Sequence, residues 1–246
     1  MELNSKKHAL VLLFGSLFLA IIYKFWKFFV AQNLASPEAE YTLYEIYNTF
    51  FRVLNSGLAF ALCVWAYKSF KSTLFSISKK QAAVLTAYVS SYFLMRYYFF
   101  DLEFRPNIFL VELFINSFAG ISEELLFRAG ITVSLLSYMR VDKAALAASA
   151  IFSLWHFDVS TDPLYFANWF LAGLVYSYAF LSGIGLLPLM IVHFIWNQIT
   201  YGFIWAGYAT NDYMLLLSFI GLVFLLYFRK KLTYETHKNP DPSPGI

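Results

Sequence analysis

The stretch Glu-Glu-Leu-Leu-Phe-Arg at residues 123–128 places three charged side chains inside a long apolar segment. On bilayer-insertion scales each charge costs roughly 2.5–3.5 kcal/mol, whereas a Leu or Phe gains only about 0.3–0.6 kcal/mol. One charge therefore offsets roughly five to ten apolar residues. Charged clusters of this cost usually face a cavity and carry out chemistry or transport. The simpler interpretation is an interfacial loop in which Glu124 and Arg128 pair one helical turn apart.

The overall composition is typical of a polytopic membrane protein. Of the 246 residues, 60% are hydrophobic, 21% are aromatic and only 13% are charged. A soluble domain averages about 45–50% apolar and about 25% charged residues. Because a transmembrane helix needs about 20 residues, the chain has room for roughly eight spans and no additional soluble domain. The predicted fold is therefore an all-α bundle of about eight transmembrane helices.

Apolar runs separated by polar turns predict where these spans lie. We expect them at residues 9–30, 44–67, 82–100, 106–139, 144–157, 164–181, 186–206 and 213–228. The fourth exceeds the bilayer thickness, which implies tilt or a kink, and Gly120 and Gly130 are candidate places for it. Residues 1–232 should form one bundle with a motif-bearing core at 106–206. The proline-containing tail at 233–246 is expected to be disordered.

Basic residues predict the orientation of the bundle. The loop between spans two and three carries four lysines and no acid, and basic residues also follow spans four and eight. This positive-inside pattern places the lysine-rich loops and both termini in the cytoplasm. The net charge of +3 is spread between apolar runs, so the chain lacks the basic groove of a nucleic-acid-binding protein. The short loops favour a prokaryotic inner membrane.

Two of the four histidines are embedded in apolar helices. His156 and His193 lie inside predicted spans, whereas His8 and His237 lie near the chain ends. A neutral imidazole can orient or deprotonate water, and a desolvated carboxylate is a stronger base than a hydrated one. His193 and Asn197 lie one helical turn apart on one face, where two donors could hold an oxyanion. This combination is typical of a hydrolase without a Ser or Cys nucleophile.

The same residues are compatible with other functions. Glu123, His156 and His193 would provide three zinc ligands and leave a fourth position open. The single cysteine, Cys63, rules out an intrachain disulfide and a multi-cysteine metal site. The residues alone do not separate glutamate-activated water from metal-activated water. A transporter with charges at the midplane is weakened because spans four to seven show no evident inverted repeat.

Three short motifs on these apolar segments resemble those of the CAAX protease and bacteriocin-processing family, also called Abi. The family consists of intramembrane endopeptidases, and the resemblance covers about residues 106–206. In chain order, the motifs are Glu123-Glu124-x-x-x-Arg128, Phe152-x-x-x-His156 and His193-x-x-x-Asn197.

The resemblance implies a role for each motif residue. Glu123 would activate the attacking water with assistance from His156. His193 and Asn197 would stabilise the tetrahedral oxyanion. Two supporting residues would fix the local geometry by pairing with each other: Glu124 and Arg128.

The resemblance also implies a reaction and a type of substrate. It predicts a glutamate protease without a cofactor, with zinc as the alternative, acting at the bilayer on a peptide or protein with a membrane-associated terminus. A prenylated CAAX tail, a bacteriocin leader and a C-terminal sorting signal all fit this description. The alternative function is a non-catalytic bacteriocin-immunity or regulatory membrane protein of the same fold.

The depths of the motif residues raise a difficulty for this interpretation. By counting along the predicted spans, Glu123 lies near the middle of the membrane, His156 lies beyond it and His193 lies nearer the cytoplasm. Their convergence therefore requires tilt or a kink in at least one helix.

Overall fold

The structure is a computed structural model that describes residues 3–33, 40–104, 106–157, 163–206 and 211–238. Helices account for most of this part of the chain, which confirms the predicted all-α bundle. The helices are α1 (Lys6–Asn33), α2 (Glu40–Ala66), α3 (Lys71–Leu74), α4 (Lys79–Phe99), α5 (Pro106–Glu123), a π-helical segment (Glu124–Thr132), α6 (Val133–Leu136), α7 (Val141–His156), α8 (Pro163–Leu181), α9 (Leu186–Tyr201) and α10 (Asn211–Lys238).

Eight of these helices, within the described residues, contain 16 residues or more and fall on the eight predicted spans. Four segments are long and apolar enough to cross a membrane by length and composition, which supports a membrane protein. They are Lys6–Trp26, Thr49–Ala66, Pro163–Leu181 and Asp212–Leu232. The motif-bearing helices α7 and α9 are shorter, with 16 residues each.

The structure departs from the predicted boundaries in two places. Span seven was expected to reach residue 206, but α9 ends at Tyr201, and Ile204–Ala206 forms a strand, β2, antiparallel to β1 (Asp101–Glu103). The last helix continues to Lys238, so it includes the first six residues of the predicted tail, 233–238. Residues 158–162 and 239–246 lie outside the described residues.

Hydrogen bonds and an ion pair hold the loops and helix ends that carry the basic residues together at one end of the bundle. We call this end the basic end. Ser182, in the turn after α8, accepts hydrogen bonds through its carbonyl from Gln81 of α4 at 3.1 Å and from Lys231 of α10 at 3.3 Å. Arg229 lies 3.5 Å from Asp142 in the first turn of α7. The starts of α4 and α7 and the ends of α8 and α10 therefore lie together.

Local sequence signals explain several of the helix boundaries. Ser78 and Gln81 form a reciprocal capping box at the start of α4, in which each side chain accepts from the other residue's backbone N–H. Pro106 and Pro163 begin α5 and α8, where the missing N–H of proline has no cost. Gly183 turns the chain between α8 and α9 with a φ of 89°, which favours glycine.

Small residues allow the helices around the motifs to approach closely. A Cβ atom at Gly120 of α5 would lie 2.9 Å from the carbonyl oxygen of Met190 in α9. A Cβ at Gly173 of α8 would lie 3.1 Å from Cα of Ser149 in α7. The contact at Gly120 is one turn from Glu123, so it sets the separation of α5 and α9 at the level of the motif residues.

Replacing Gly120 by alanine should therefore destabilise the bundle. The added methyl group would press on the backbone of α9, and overpacking of this kind costs about 1–3 kcal/mol. Gly57→Ala on α2 is the matched control, because a Cβ there meets no atom within 4 Å. Alanine is the better helix former, so this variant should be neutral or more stable by up to about 1 kcal/mol. Unfolding of both variants in detergent measures the difference, and equal stability would contradict the close approach.

Candidate active site

Glu123 lies at the meeting point of the three motif-bearing segments. Its Oε2 atom is 3.4 Å from Nε2 of His193 on α9 and 3.6 Å from Nε2 of His156 at the end of α7. The Glu123 side chain is only 6% exposed. The structure therefore brings together three residues that simple counting along straight helices placed at different depths.

The difference from simple counting is partly explained by a change in helix type. The helix that starts at Pro106 is α-helical to Glu123 and π-helical over the next nine residues, Glu124–Thr132. A π-helix has wider turns than an α-helix, and such segments inside α-helices are frequent at functional sites. The tilt or kink predicted for span four is thus a π-helical segment that contains Gly130, whereas Gly120 serves helix packing.

Glu124 binds the other nitrogen of the same imidazole. Its Oε1 atom lies 2.7 Å from Nδ1 of His193, and its Oε2 atom lies 3.2 Å from Nε of Arg128. The adjacent acids Glu123 and Glu124 therefore contact opposite sides of the His193 ring. The pairing of Glu124 with Arg128 was expected, but the contact between Glu124 and His193 was not.

Arg128 is completely buried. Its Cζ atom lies 4.8 Å from the ring centre of Phe152 and 5.3 Å from that of Tyr176, so the guanidinium packs on two aromatic rings. None of its three guanidinium nitrogens has a hydrogen-bond partner among the described residues, so its contact with Glu124 is an ion pair only. The Glu124 carboxylate is therefore the main negative charge that compensates the buried Arg128 guanidinium. Removing it would leave the positive charge of Arg128 buried without a partner of opposite charge.

Hydrogen-bond partners assign the proton positions on both rings. A carbonyl oxygen and an ionised carboxylate can only accept. His156 Nδ1 lies 2.9 Å from the carbonyl oxygen of Phe152, so this nitrogen donates, as does His193 Nδ1 to Glu124. In a neutral His156 ring, Nε2 is then an acceptor that faces the Glu123 carboxylate at 3.6 Å. Neither of these acceptors has a proton to give the other, so a water molecule beside them can donate one O–H to each.

A cavity of about 330 Å³ adjoins these residues. His156, His193 and Asn197 line it, and the His156 side chain is 23% exposed. Asn197 lies one turn after His193 on the same wall of the cavity, as their spacing predicts. Both imidazoles thus contact Glu123 and line the cavity.

Aromatic residues on α8 complete the site, and the sequence analysis did not identify them. The Trp169 ring lies 5.2 Å from that of His156, and the Tyr176 ring lies 5.4 Å from that of His193. Trp169 lies four residues after Tyr165, and Tyr176 lies seven residues after Trp169. This helical spacing indicates one aromatic face on α8.

Arg96, near the end of α4, is a further residue of the cavity wall that the sequence analysis did not identify. Its Nη1 atom donates a hydrogen bond of 2.9 Å to the hydroxyl of Tyr92.

A zinc site would need three suitable side chains around one point. Among the described residues, no group of three His, Cys, Asp or Glu side chains is arranged to hold a metal ion. The ligands of the zinc alternative, Glu123, His156 and His193, lie close together but are not in such an arrangement.

Residues 105–199 match the family of type II CAAX prenyl endopeptidases, Rce1-like. This match confirms the resemblance to the CAAX protease and bacteriocin-processing family. The Rce1-like region runs from the start of α5 into the last turns of α9, and it contains all seven residues named in the three motifs. No curated protein and no solved structure shows significant similarity to the chain.

Removing one partner of the buried ion pair should destabilise the Rce1-like region strongly. Arg128→Met leaves the Glu124 carboxylate buried without its cation, and breaking such a pair costs about 3–5 kcal/mol. The double variant Glu124→Gln/Arg128→Met removes both charges and should recover much of this loss. Unfolding in detergent compares the three proteins. A double variant less stable than Arg128→Met would contradict the importance of the charge pairing.

Proposed function

We propose that the protein is an intramembrane endopeptidase in which Glu123 activates a water molecule. The observation that carries this proposal is the position of Glu123 Oε2, 3.4 Å and 3.6 Å from the Nε2 atoms of two imidazoles beside a cavity. The match to a family of endopeptidases supports it. A carboxylate held away from bulk solvent, with an acceptor imidazole next to it, suits a general base.

The first step is the attack of water on the peptide carbonyl carbon. The water donates one O–H to Glu123 and the other to His156 Nε2, which directs its lone pair into the cavity. As the new carbon–oxygen bond forms, Glu123 takes one proton from the water. His156 stays neutral and holds the second O–H in place.

The second requirement is stabilisation of the tetrahedral oxyanion. His193 and Asn197 line the cavity one turn apart and can both donate to an oxygen placed there. Because His193 Nδ1 already donates to Glu124, donation from Nε2 requires a proton on both nitrogens. The two carboxylates that flank this ring, one countered by Arg128, suit a positively charged imidazole.

The last step breaks the carbon–nitrogen bond. Glu123 returns the proton to the departing amine nitrogen, so one water is consumed and one acid and one amine are formed. Glu123 thus acts first as base and then as acid, while His156, His193 and Asn197 keep their positions.

The proposed substrate is a peptide or protein segment whose terminus lies at the membrane. The cavity walls combine the motif residues with aromatic rings such as Trp169, Tyr176 and Trp196. Such walls suit a partly apolar peptide chain. A prenylated tail, a leader peptide and a sorting signal remain the candidate classes.

Glu123→Gln should abolish peptide cleavage while the protein remains folded and inserted. Loss of a general base lowers rates by about 10²–10⁴-fold. Glu112→Gln, an acid on the same helix outside the site, is the matched control and should keep activity. Labelling of new peptide N termini in membranes from cells that express each variant measures cleavage without a known substrate. If the new N termini persist in the Glu123→Gln variant, the proposal is wrong. If the wild-type protein produces no new N termini, a non-catalytic protein is favoured.

A chelator experiment separates the glutamate reaction from the zinc alternative. Wild-type protein incubated with a strong zinc chelator and then desalted should keep its full cleavage rate, because the proposed nucleophile needs no metal. Loss of activity that added zinc restores would instead assign Glu123, His156 and His193 as metal ligands.

A further inference from the structure

The π-helical segment Glu124–Thr132 packs against α2, a helix outside the Rce1-like region. The hydroxyl of Tyr67, the residue directly after α2, donates a hydrogen bond of 2.6 Å to the carbonyl of Ala129. One turn earlier, Sγ of Cys63 lies 4.0 Å from the carbonyl oxygen of Leu125. Both side chains are buried. Two neighbouring side chains thus contact two backbone carbonyls of the π-helical segment.

These carbonyls belong to the residues that directly follow the two members of the buried ion pair. Leu125 follows Glu124, and Ala129 follows Arg128. Consecutive Cα atoms are held about 3.8 Å apart by the trans peptide bond. A shift of either carbonyl would therefore also move the charged residue next to it.

The Ala129 carbonyl lies where the helical hydrogen bonding changes. In an α-helix the N–H of Val133 would bond to Ala129, four residues earlier. In the structure this N–H bonds to the carbonyl of Gly130. Buried carbonyls require hydrogen-bond donors. The Tyr67 hydroxyl provides a donor that the α-helical pattern would have provided, so it stabilises the π-helical geometry at this point.

The backbone that carries Tyr67 is held by residues near the start of the chain. Leu3 pairs with Tyr67 in an isolated antiparallel bridge. Asn4 donates from its backbone N–H to the carbonyl of Ala66 and from its side chain to the carbonyl of Trp65, both at 3.0 Å. The hydroxyl is therefore presented from a fixed backbone, which a group that positions others requires.

We propose that Tyr67 is a positioning residue for the His193 ring and acts through the π-helical segment. Its hydroxyl fixes the place of Arg128 and Glu124, and Glu124 in turn orients the ring through its 2.7 Å contact with Nδ1. Tyr67 does this although it does not line the cavity. The effect of the ring orientation on cleavage rests on the proposed function, whereas the orientation itself does not.

The variant Tyr67→Phe tests this proposal, because it removes the hydroxyl and keeps the ring. Tyr138→Phe is the matched control. The Tyr138 hydroxyl also donates to a backbone carbonyl of another helix, that of Lys6 at 2.8 Å, but Tyr138 lies outside the π-helical segment. Unfolding in detergent measures the stability that each variant loses.

The ring of His193 provides a readout that loss of stability alone would not change. Nitrogen-15 NMR is recorded on histidine-labelled protein in which His8 and His237 are replaced by glutamine. The His193 Nδ1 signal should shift in Tyr67→Phe and stay at its wild-type position in Tyr138→Phe. A lower stability of Tyr67→Phe with an unchanged His193 signal would overturn the proposal, and so would equal shifts in both variants.

Cleavage by the same variants tests whether the ring position matters for the reaction. Tyr67→Phe should slow the formation of new peptide N termini by up to about 10²-fold, because small displacements of site residues can cost this much. Tyr138→Phe should keep the wild-type rate. A shifted His193 signal with full cleavage would overturn the positioning role in catalysis. A wild-type protein that produces no new N termini would end the proposed function, but the NMR result would still test the orientation of the ring.

A measurement on the wild-type protein covers the case in which Tyr67→Phe does not fold. Alanine labelled with carbon-13 at the carbonyl and glycine labelled with nitrogen-15 select the carbonyls of Ala–Gly pairs, one of which is Ala129–Gly130. Magnetisation should pass from carbon-13 at Cζ of tyrosine to the Ala129 carbonyl, as their 2.6 Å hydrogen bond requires. An Ala129 carbonyl that receives no magnetisation from tyrosine would overturn the proposal.

Discussion

The contact between Glu124 and His193 is the constraint on which the rest of the site depends. Glu124 is fully buried, and its two oxygens bind His193 and the equally buried Arg128. A carboxylate and a guanidinium inside an apolar bundle are tolerated only when each is compensated, since an unpaired charge there costs several kcal/mol. Three features contribute to this compensation. They are the π-helical segment that carries Glu124 and Arg128, the aromatic rings that pack on Arg128, and the orientation of the His193 ring toward Glu124.

Once His193 is fixed, the chemistry assigned to Glu123 follows from its position. Glu123 contacts the opposite edge of the same ring and also reaches His156, whose proton is fixed by the Phe152 carbonyl. In the proposed reaction, the Glu123 carboxylate and the neutral His156 imidazole together hold both hydrogens of one water. The neighbouring carboxylates then have different proposed roles: Glu124 supports the structure, and Glu123 acts as the base.

Much of this arrangement could be predicted from the sequence, because hydropathy sets the spans and the motif spacing sets which residues share a helical face. The number and order of the long helices and the pairing of Glu124 with Arg128 are of this kind. The resemblance implied that Glu123, His156 and His193 share one site, but the way in which they converge could not be predicted, because it depends on the π-helical segment and on the close packing of α5 against α9. The position of Arg96 in the cavity wall could not be predicted either, because a single helix, considered alone, does not reveal a cavity between five helices.

The most direct test of this account is the protonation of the two histidine rings. Nitrogen-15 NMR of histidine-labelled protein in lipid nanodiscs, with His8 and His237 replaced by glutamine, reports which ring nitrogens carry protons. The account predicts a proton on Nδ1 of both remaining rings, an unprotonated Nε2 on His156, and a change in the His193 signals on Glu124→Gln substitution. A protonated Nε2 with a bare Nδ1 on His156, or His193 signals that ignore the loss of Glu124, would contradict it.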